Sequence, residues 1–149
     1  MKLPFEDITM VEMGTSVAGP FAGKVLAELG ARVIKVENPD GGDPARYWYP
    51  KLPDGNSASF QSCNMGKLSV TIDMRDDAEL AQLRAFITEQ ADVVMQNLRP
   101  GAVERFGHLA VARYSRGIGG TSGSHFRDRC CGERRCRQWF VIQPHVDQK

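Results

Sequence analysis

The chain has 149 residues, of which 42% are hydrophobic and 25% charged, and its net charge at pH 7 is +1. This length favours one domain, and the composition is typical of a soluble globular protein. No run reaches the roughly 18 apolar residues that a membrane-spanning helix needs, and the N-terminus lacks the apolar core of a signal peptide. We therefore expect a cytoplasmic protein with no membrane partner and with reduced cysteines.

The charge is unevenly distributed along the chain. Residues 1–107 carry 11 Lys and Arg against 15 Asp and Glu, whereas residues 108–149 carry 8 against 3. The second segment also holds all three histidines and three of the four cysteines. Such a shift in composition marks a boundary. We predict one domain over residues 1–107 and a separate tail over residues 108–149.

The first predicted elements are a strand, a helix and a second strand. The apolar run 8–13 indicates a buried strand. Pro20 suits the first turn of the helix, and Gly30 is a natural end for it. Four residues at helical spacing predict an apolar face on this helix: Phe21, Val25, Leu26 and Leu29. The β-branched run 33–36 predicts a second strand, parallel to the first.

The rest of the domain is predicted to add two strands and two helices after a long surface loop. Residues 38–59 are rich in Pro, Gly, Asp and Ser and leave little room for regular structure. Strands are predicted over residues 68–73 and 91–96. Helices are predicted over about 77–90, where acidic residues begin the first turn, and over 102–106. These elements predict an α/β fold with a parallel Rossmann-like sheet and flanking helices, lacking its later strands.

Several residues lie where parallel sheets bind their ligands. A turn between a strand and a helix N-terminus is a phosphate-binding geometry, and ligands bind outside the carboxyl ends of the strands. Candidates just past the predicted strands or in adjacent loops are Val17, Ala18, Asn38, Asn64 and Asn97, with positive charge from Lys67, Arg99 and Arg105. The pattern indicates a site for a polyanionic nucleotide.

Two other interpretations of the glycines bear on this site. A dinucleotide dehydrogenase is disfavoured because Gly14, Gly19 and Gly23 do not match the G-x-G-x-x-G spacing, although Glu37 stands where a ribose-binding acid would. Alternatively, the glycines only permit tight packing and the charges are solvated. Periodicity by itself favours that second interpretation.

Six blocks of sequence follow one another over residues 5–107. They are Ala18–Phe21, Leu29–Glu37, Gly42–Arg46, Asn64–Ser69, Ala91–Val94 and Arg99–Gly107. In this order and spacing they resemble the opening of the class III (CaiB/BaiF) CoA transferases. Formyl-CoA transferase and α-methylacyl-CoA racemase belong to that family.

The resemblance implies that a set of nine residues contacts coenzyme A: Val17, Ala18, Asn38, Asn64, Lys67, Asn97, Leu98, Arg99 and Arg105. The first two would line the adenine pocket through their backbone, and residues 97–99 would border the pantetheine channel. Lys67 and Arg105 would each meet a phosphate, for which a point charge and a planar fork are both suited. Asn38 stands where some members of the family place an arginine.

The resemblance also implies an activity. The family transfers CoA from an acyl-CoA thioester to a carboxylic acid through an aspartyl intermediate, as a homodimer and with no covalently bound cofactor. In its racemase branch, a His and an Asp act as paired acid and base on the α-carbon. The chain contains no match to the family's Gly-Tyr-Asp block, so we assign no catalytic residue and expect a truncated fragment that is inactive alone. The alternatives are a non-catalytic CoA- or nucleotide-binding module and a fragment of an acyl-CoA racemase.

The tail begins where the resemblance ends. We interpret residues 108–149 as the product of a reading-frame change near codon 107, with a pseudogene or a sequencing error as alternatives. Cys130, Cys131 and Cys136 have the spacing C-C-x4-C rather than paired C-x2-C, so we predict no metal site. The Arg-rich run 127–137 lacks interleaved aromatic residues, so we predict no nucleic-acid partner. The tail is expected to be disordered or irregular.

Overall fold

The computed structural model of the chain describes residues 2–98. Their elements, in chain order, are β1 (Thr9–Glu12), α1 (Ala18–Glu28), β2 (Arg32–Glu37), a 3₁₀ helix (Pro44–Tyr47), α2 (Ala58–Asn64), β3 (Leu68–Thr71), α3 (Asp77–Gln90) and β4 (Val93–Met95). The predicted helix over 102–106 and the predicted irregular tail over 108–149 lie outside the described residues.

The four strands form one parallel sheet in the order β3-β2-β1-β4. In the register of the sheet, Met10 of β1 lies opposite Val33 of β2 and Val93 of β4. This confirms the α/β fold with a parallel sheet. The chain leaves β1 toward β2 and β3 on one side and returns to place β4 on the other. The gap between the ends of β1 and β4 is therefore a switch point, where sheets of this kind bind ligands.

Helices cover both faces of the sheet, because successive side chains of a strand point to opposite faces. Met10 and Val33 pack in a cluster to which α1 contributes Leu26. The next residue, Val11, lies in the cluster to which α3 contributes Leu83 and Ile87. The core is thus two apolar layers, one under each helix.

The apolar face predicted for α1 is wrong for three of its four residues. Phe21, Val25 and Leu29 are exposed, and only Leu26 packs against the core. The buried residues of α1 are Gly19, Pro20 and Gly23. The helix lies so close to the carboxyl edge of the sheet that residues without large side chains face it there.

The loop over residues 38–59 is more regular than predicted. The 3₁₀ helix lies inside it, and the Asp43 carboxylate caps it by accepting a hydrogen bond from the Ala45 N–H. Ser57 caps α2 in the same way, accepting from the Phe60 N–H. These side chains satisfy backbone donors that a short helix leaves free. The absence of regular structure was therefore predicted wrongly for this segment.

The remaining elements agree closely with their predicted ranges. Helix α3 has the predicted bounds, and β1, β3 and β4 are shorter than predicted. Strand β2 is longer than predicted by one residue at each end. Within residues 2–98, no helix has both the length and the apolar character needed to cross a membrane.

Candidate functional site

The turn that follows β1 is fastened at the switch point by the segment that follows β4. The Thr15 N–H donates to Oδ1 of Asn97 at 2.8 Å, and Nδ2 of Asn97 donates to the Thr15 carbonyl at 2.9 Å. A side-chain amide that donates and accepts in this way holds both backbone polar groups of one residue in place. Asn97, a predicted site residue, thus fixes one side of the turn.

The other side of the turn is held by the loop that follows β2. Ser16 has a φ of +67°, a left-handed conformation that is uncommon for residues other than glycine. Its N–H donates to both carboxylate oxygens of Asp43, at 3.0 and 3.2 Å. The buried Asp43 carboxylate therefore stabilises the conformation of the turn that leads into α1.

A buried lysine lies beneath the turn. Lys35 Nζ contacts Oε1 of Glu12 at 3.1 Å, Oδ2 of Asp43 at 2.9 Å and the Gly14 carbonyl at 2.7 Å. The Glu12, Lys35 and Asp43 side chains are each at most 2% exposed. Buried charges are tolerated only when they are paired and hydrogen-bonded, and these groups meet that condition.

A second buried lysine shares the same glutamate. Lys67 Nζ donates to Oε2 of Glu12 at 2.7 Å, to the Pro20 carbonyl at 2.7 Å and to Oδ1 of Asn64 at 2.9 Å. These acceptors use the three protons of its ammonium group. Burial lowers the pKa of Lys67, the Glu12 carboxylate opposes that effect, and the Lys35 charge adds to the lowering. Lys67 therefore ties α1 to the interior through the Pro20 carbonyl.

Gly23 is the residue of α1 that makes room for these charges. A Cβ atom at Gly23 would collide with Oε2 of Glu12 and would lie 3.2 Å from Nζ of Lys67. The glycine thus allows the helix to lie directly over the ion pair. This close approach agrees with the interpretation that the glycines permit tight packing, while the charges around them are paired rather than solvated.

Glu37 forms a separate ion pair at the end of β2. Its carboxylate accepts from Nε and Nη2 of Arg46 at 2.8 and 2.6 Å, from the Ser69 hydroxyl at 2.7 Å and from the Asp43 N–H at 3.0 Å. Burial by itself would raise the pKa of Glu37, but these donors, Arg46 foremost, hold it at about 2. These four hydrogen bonds occupy the Glu37 carboxylate. This argues against a role for Glu37 in binding a ribose.

Two open clefts are both lined by Glu37 and Arg46. One, of about 200 Å³, is bordered by Asn38 and the end of β3. The other, of about 190 Å³, is bordered by Asn64 and Lys67. The Arg46 guanidinium lies 3.9 Å from the centroid of the Phe60 ring. Three predicted site residues therefore line concave surface beside β2 and β3.

Val17, Ala18 and Leu98 lie outside the linings of these two clefts. Val17 and Ala18 are exposed at the start of α1, which no side-chain hydrogen bond caps within residues 2–98. Leu98 is half-buried, and its N–H donates to Oε1 of Gln96. Asn38, in the first cleft, is exposed and accepts from the Asp40 N–H. The two predicted arginines, Arg99 and Arg105, lie outside the described residues.

The charged residues beneath the turn were not among the predicted site residues. Glu12 follows Val11 in β1, and Lys35 lies between two apolar residues of β2. Strands of a parallel sheet that is covered by helices are buried on both faces. A charge inside such a strand must therefore have a partner, and this signal could have identified both residues, although not which groups they contact.

In comparison with known proteins, residues 5–112 match the sequence model of CoA-transferase family III. The chain is 38% identical over 104 residues to the succinyl-CoA–D-citramalate CoA-transferase of Chloroflexus aurantiacus, covering 70% of this chain and 26% of that relative. It is 40% identical over 106 residues to the probable fatty acyl-CoA transferase Rv3272 of Mycobacterium tuberculosis, again covering 70% and 26%. The chain thus spans about a quarter of the length of these relatives.

Solved structures give the same result. A CaiB/BaiF family protein from Brucella suis matches with a TM-score of 0.65 and 37% identity, over 72% of this chain and 29% of that one. The crystal structure of Rv3272 matches with a TM-score of 0.63 and 40% identity, over 70% and 29%.

Proposed function

Because the chain belongs to CoA-transferase family III, we propose that residues 1–107 are the part of a CoA transferase that binds the coenzyme A portion of an acyl-CoA. The observation that carries this proposal is where the predicted site residues lie. Of the seven that fall within residues 2–98, four follow β1 and β4 at the switch point: Val17, Ala18, Asn97 and Leu98. Asn38 follows β2, and Asn64 and Lys67 precede β3, from where the Lys67 ammonium reaches Glu12, the last residue of β1. CoA would be a substrate, and no cofactor would be bound covalently.

The start of α1 supports this assignment. A helix N-terminus has backbone N–H groups without intrahelical acceptors and carries a partial positive charge. No side chain of the described residues caps α1, and Val17 and Ala18 at its start are accessible. A nucleotide lying across them would accept hydrogen bonds from the backbone while the adenine contacts their small side chains.

Lys67 is proposed to pair with a phosphate of CoA. Its ammonium group already has three acceptors, so this contact requires one of them to be exchanged. The Asn64 amide is the uncharged side chain among them and borders the cleft. Exchange of Asn64 for a phosphate would leave the Glu12 pair intact. Arg99 and Arg105 would supply further positive charge.

The complete reaction is proposed from the family. The family transfers CoA from an acyl-CoA to a carboxylic acid through an aspartyl intermediate. Racemisation of an acyl-CoA is the alternative within the same family. We further propose a homodimer in the cytoplasm that binds neither nucleic acid nor membrane. No residue of this chain matches the aspartate block, so we expect the 149-residue chain to bind CoA without transferring it.

Isothermal titration of the 149-residue chain with CoA, and separately with NAD⁺, tests the binding proposal. We expect binding of CoA and none of NAD⁺. Asn97→Ala should weaken CoA binding about tenfold, because it releases both hydrogen bonds to Thr15. Asn56→Ala changes an exposed asparagine in the long loop and is the matched control.

Three results would contradict the proposal. Absence of CoA binding would refute it directly. If the Asn97→Ala and Asn56→Ala variants bind CoA with equal affinity, CoA does not bind at the switch point. Equal affinity for CoA and NAD⁺ would instead favour a general nucleotide-binding module.

A further inference from the structure

We propose that Asp43 is a positioning residue for coenzyme A. Asp43, Lys35 and Glu12 form a buried chain of charges that holds Ser16 in its left-handed conformation, and the placement of the first residues of α1 depends on that conformation. This inference rests on the proposed function and extends it to residues that do not touch the ligand.

Ser16 adopts a conformation that its own chemistry does not favour. A left-handed backbone costs a non-glycine residue on the order of 1 kcal/mol or more and persists only where the surroundings enforce it. The surroundings here are the two carboxylate oxygens of Asp43, which accept from the Ser16 N–H. Hydrogen bonds to an ionised acceptor are about twice as strong as neutral ones.

The Asp43 carboxylate is itself held from several sides. Lys35 Nζ lies 2.9 Å from its Oδ2, and the Ala45 N–H donates to its Oδ1 at 2.9 Å. Its backbone N–H donates to Glu37 at 3.0 Å. Because the side chain is only 1% exposed, the carboxylate has no competing water to turn toward. The acceptor that selects the turn is therefore fixed by the interior.

A turn that is fixed before the ligand arrives lowers the cost of binding, since no backbone has to be ordered at that step. Asp43 should accordingly set the affinity for CoA through Ser16. The same argument assigns Lys35 the role of holding Asp43, with Glu12 balancing the charge of Lys35.

The test must separate positioning from folding. Removal of Asp43 alone would leave two buried lysines with one glutamate, which endangers the fold. Two double variants avoid this: Lys35→Met/Asp43→Asn and Lys35→Met/Asp43→Ala. Each removes one positive and one negative charge and leaves the Glu12–Lys67 pair balanced. Asparagine keeps an oxygen that can accept from the Ser16 N–H, whereas alanine loses that acceptor together with the cap on the Ala45 N–H. The Ser16 amide is therefore measured directly in both variants.

Two measurements on the 149-residue chain are compared: the CoA affinity by titration calorimetry and the exchange rate of the Ser16 amide by NMR. We expect the alanine double variant to bind CoA about tenfold more weakly than the asparagine double variant and to exchange the Ser16 amide faster. Asp54→Asn, an exposed aspartate of the same loop, should match the wild type in both.

Equal CoA affinity and equal Ser16 exchange in the two double variants would overturn the inference. If the wild type does not bind CoA, the proposed function fails, and the Ser16 exchange rate alone decides whether Asp43 positions the turn.

Should a double variant not fold, Ser16 itself provides the test. Ser16→Gly and Ser16→Ala both carry smaller side chains than serine, so neither can obstruct a ligand. Glycine adopts the left-handed conformation freely and alanine does not. We expect the glycine variant to bind CoA about fivefold more tightly than the alanine variant, since about 1 kcal/mol separates them. Equal affinities would overturn the inference.

Discussion

Helices α1 and α3 cover opposite faces of the same sheet and are fastened to it by different forces. Helix α3 is capped by Asp76, whose carboxylate accepts from two backbone N–H groups, and it buries Leu80, Leu83 and Ile87. Helix α1 has no side-chain cap in the part of the chain that the structure describes. It buries glycine and proline near the carboxyl edge of the sheet and is anchored there through its Pro20 carbonyl by a buried lysine.

The difference indicates that the two helices serve different purposes. An apolar face on a capped helix contributes stability, as α3 does. A helix held by small residues and paired charges can lie very close to the strand ends and keep its N-terminus free. Its larger apolar residues then lie outside, as Phe21 and Val25 do. Helix α1 is thus built to present a surface, and α3 to close the core.

The largest expected effect is at Gly23. A Gly→Ala substitution usually stabilises a helix, but at this position it should destabilise the fold. In an ordinary helix, Gly→Ala stabilises by roughly 0.5–1 kcal/mol. Here the new methyl group would collide with the Glu12 carboxylate, so Gly23→Ala should lower the free energy of unfolding by about 4 kcal/mol. Urea unfolding followed by circular dichroism measures this change.

Lys24→Ala, at the next position of α1, is the matched control and should stay within about 0.5 kcal/mol of the wild type, because Lys24 pairs with Glu28 at the surface. A stable Gly23→Ala variant would show that α1 does not need its close approach to the sheet.

The second prediction contrasts apolar residues of the two helices. Leu83→Ala in α3 should cost about 3 kcal/mol, because it removes a side chain from the core cluster beneath that helix. Phe21→Ala in α1 removes a larger side chain but should cost less than about 1 kcal/mol, since Phe21 is 54% exposed. Urea unfolding of both variants checks the contrast, and similar losses in the two would contradict it.

The third prediction concerns the stability of the fold in acid. Protonation of Glu37, at the end of β2, should destabilise the fold more than protonation of an exposed glutamate on α3. The pKa of Glu37 is about 2 in the folded chain and about 4.5 when unperturbed. A lowered folded-state pKa stabilises the fold fully above pH 4.5, and that stabilisation is lost as the pH falls toward 2. The stabilisation that is lost is on the order of 3 kcal/mol.

Unfolding free energies of wild type and Glu37→Gln, measured between pH 5 and pH 2, test this point. The difference between the two proteins should shrink as the pH falls. Glu89→Gln, an exposed change on α3, should follow the wild type throughout. A difference that stays constant over this range would show that the Glu37–Arg46 pair does not stabilise the fold.

The fold could be predicted where local signals were strong. Helix α3 has its predicted bounds because an aspartate cap and apolar spacing both mark it. Helix α2 has only seven residues and begins in a polar loop, so no periodicity revealed it. The face of α1 was assigned from side-chain size, which is misleading where close approach, rather than apolar burial, fixes the helix.

The site could be predicted in part. The positions of Val17, Asn38 and Asn97 at the edge of the sheet follow from the strand ends and from the family resemblance. The ion pairs could not be predicted, because a sequence shows which charges exist but not which of them meet across the ends of different strands. Asp43 and Lys67 belong to segments far apart in the chain, and the Glu12–Lys35 pair joins them only in the folded protein.

The space over the Glu12–Lys67 pair also has an evolutionary consequence. Since a methyl group at position 23 and a carboxylate at position 12 compete for the same volume, the two positions cannot mutate independently. Homologous sequences that carry alanine at position 23 should carry a shorter or uncharged residue at position 12. They should also have lost the lysine at position 67, whose charge would otherwise be left without its counterion. Positions 12, 23 and 67 should therefore change together in descendants of this sequence, although 55 residues separate the first from the last.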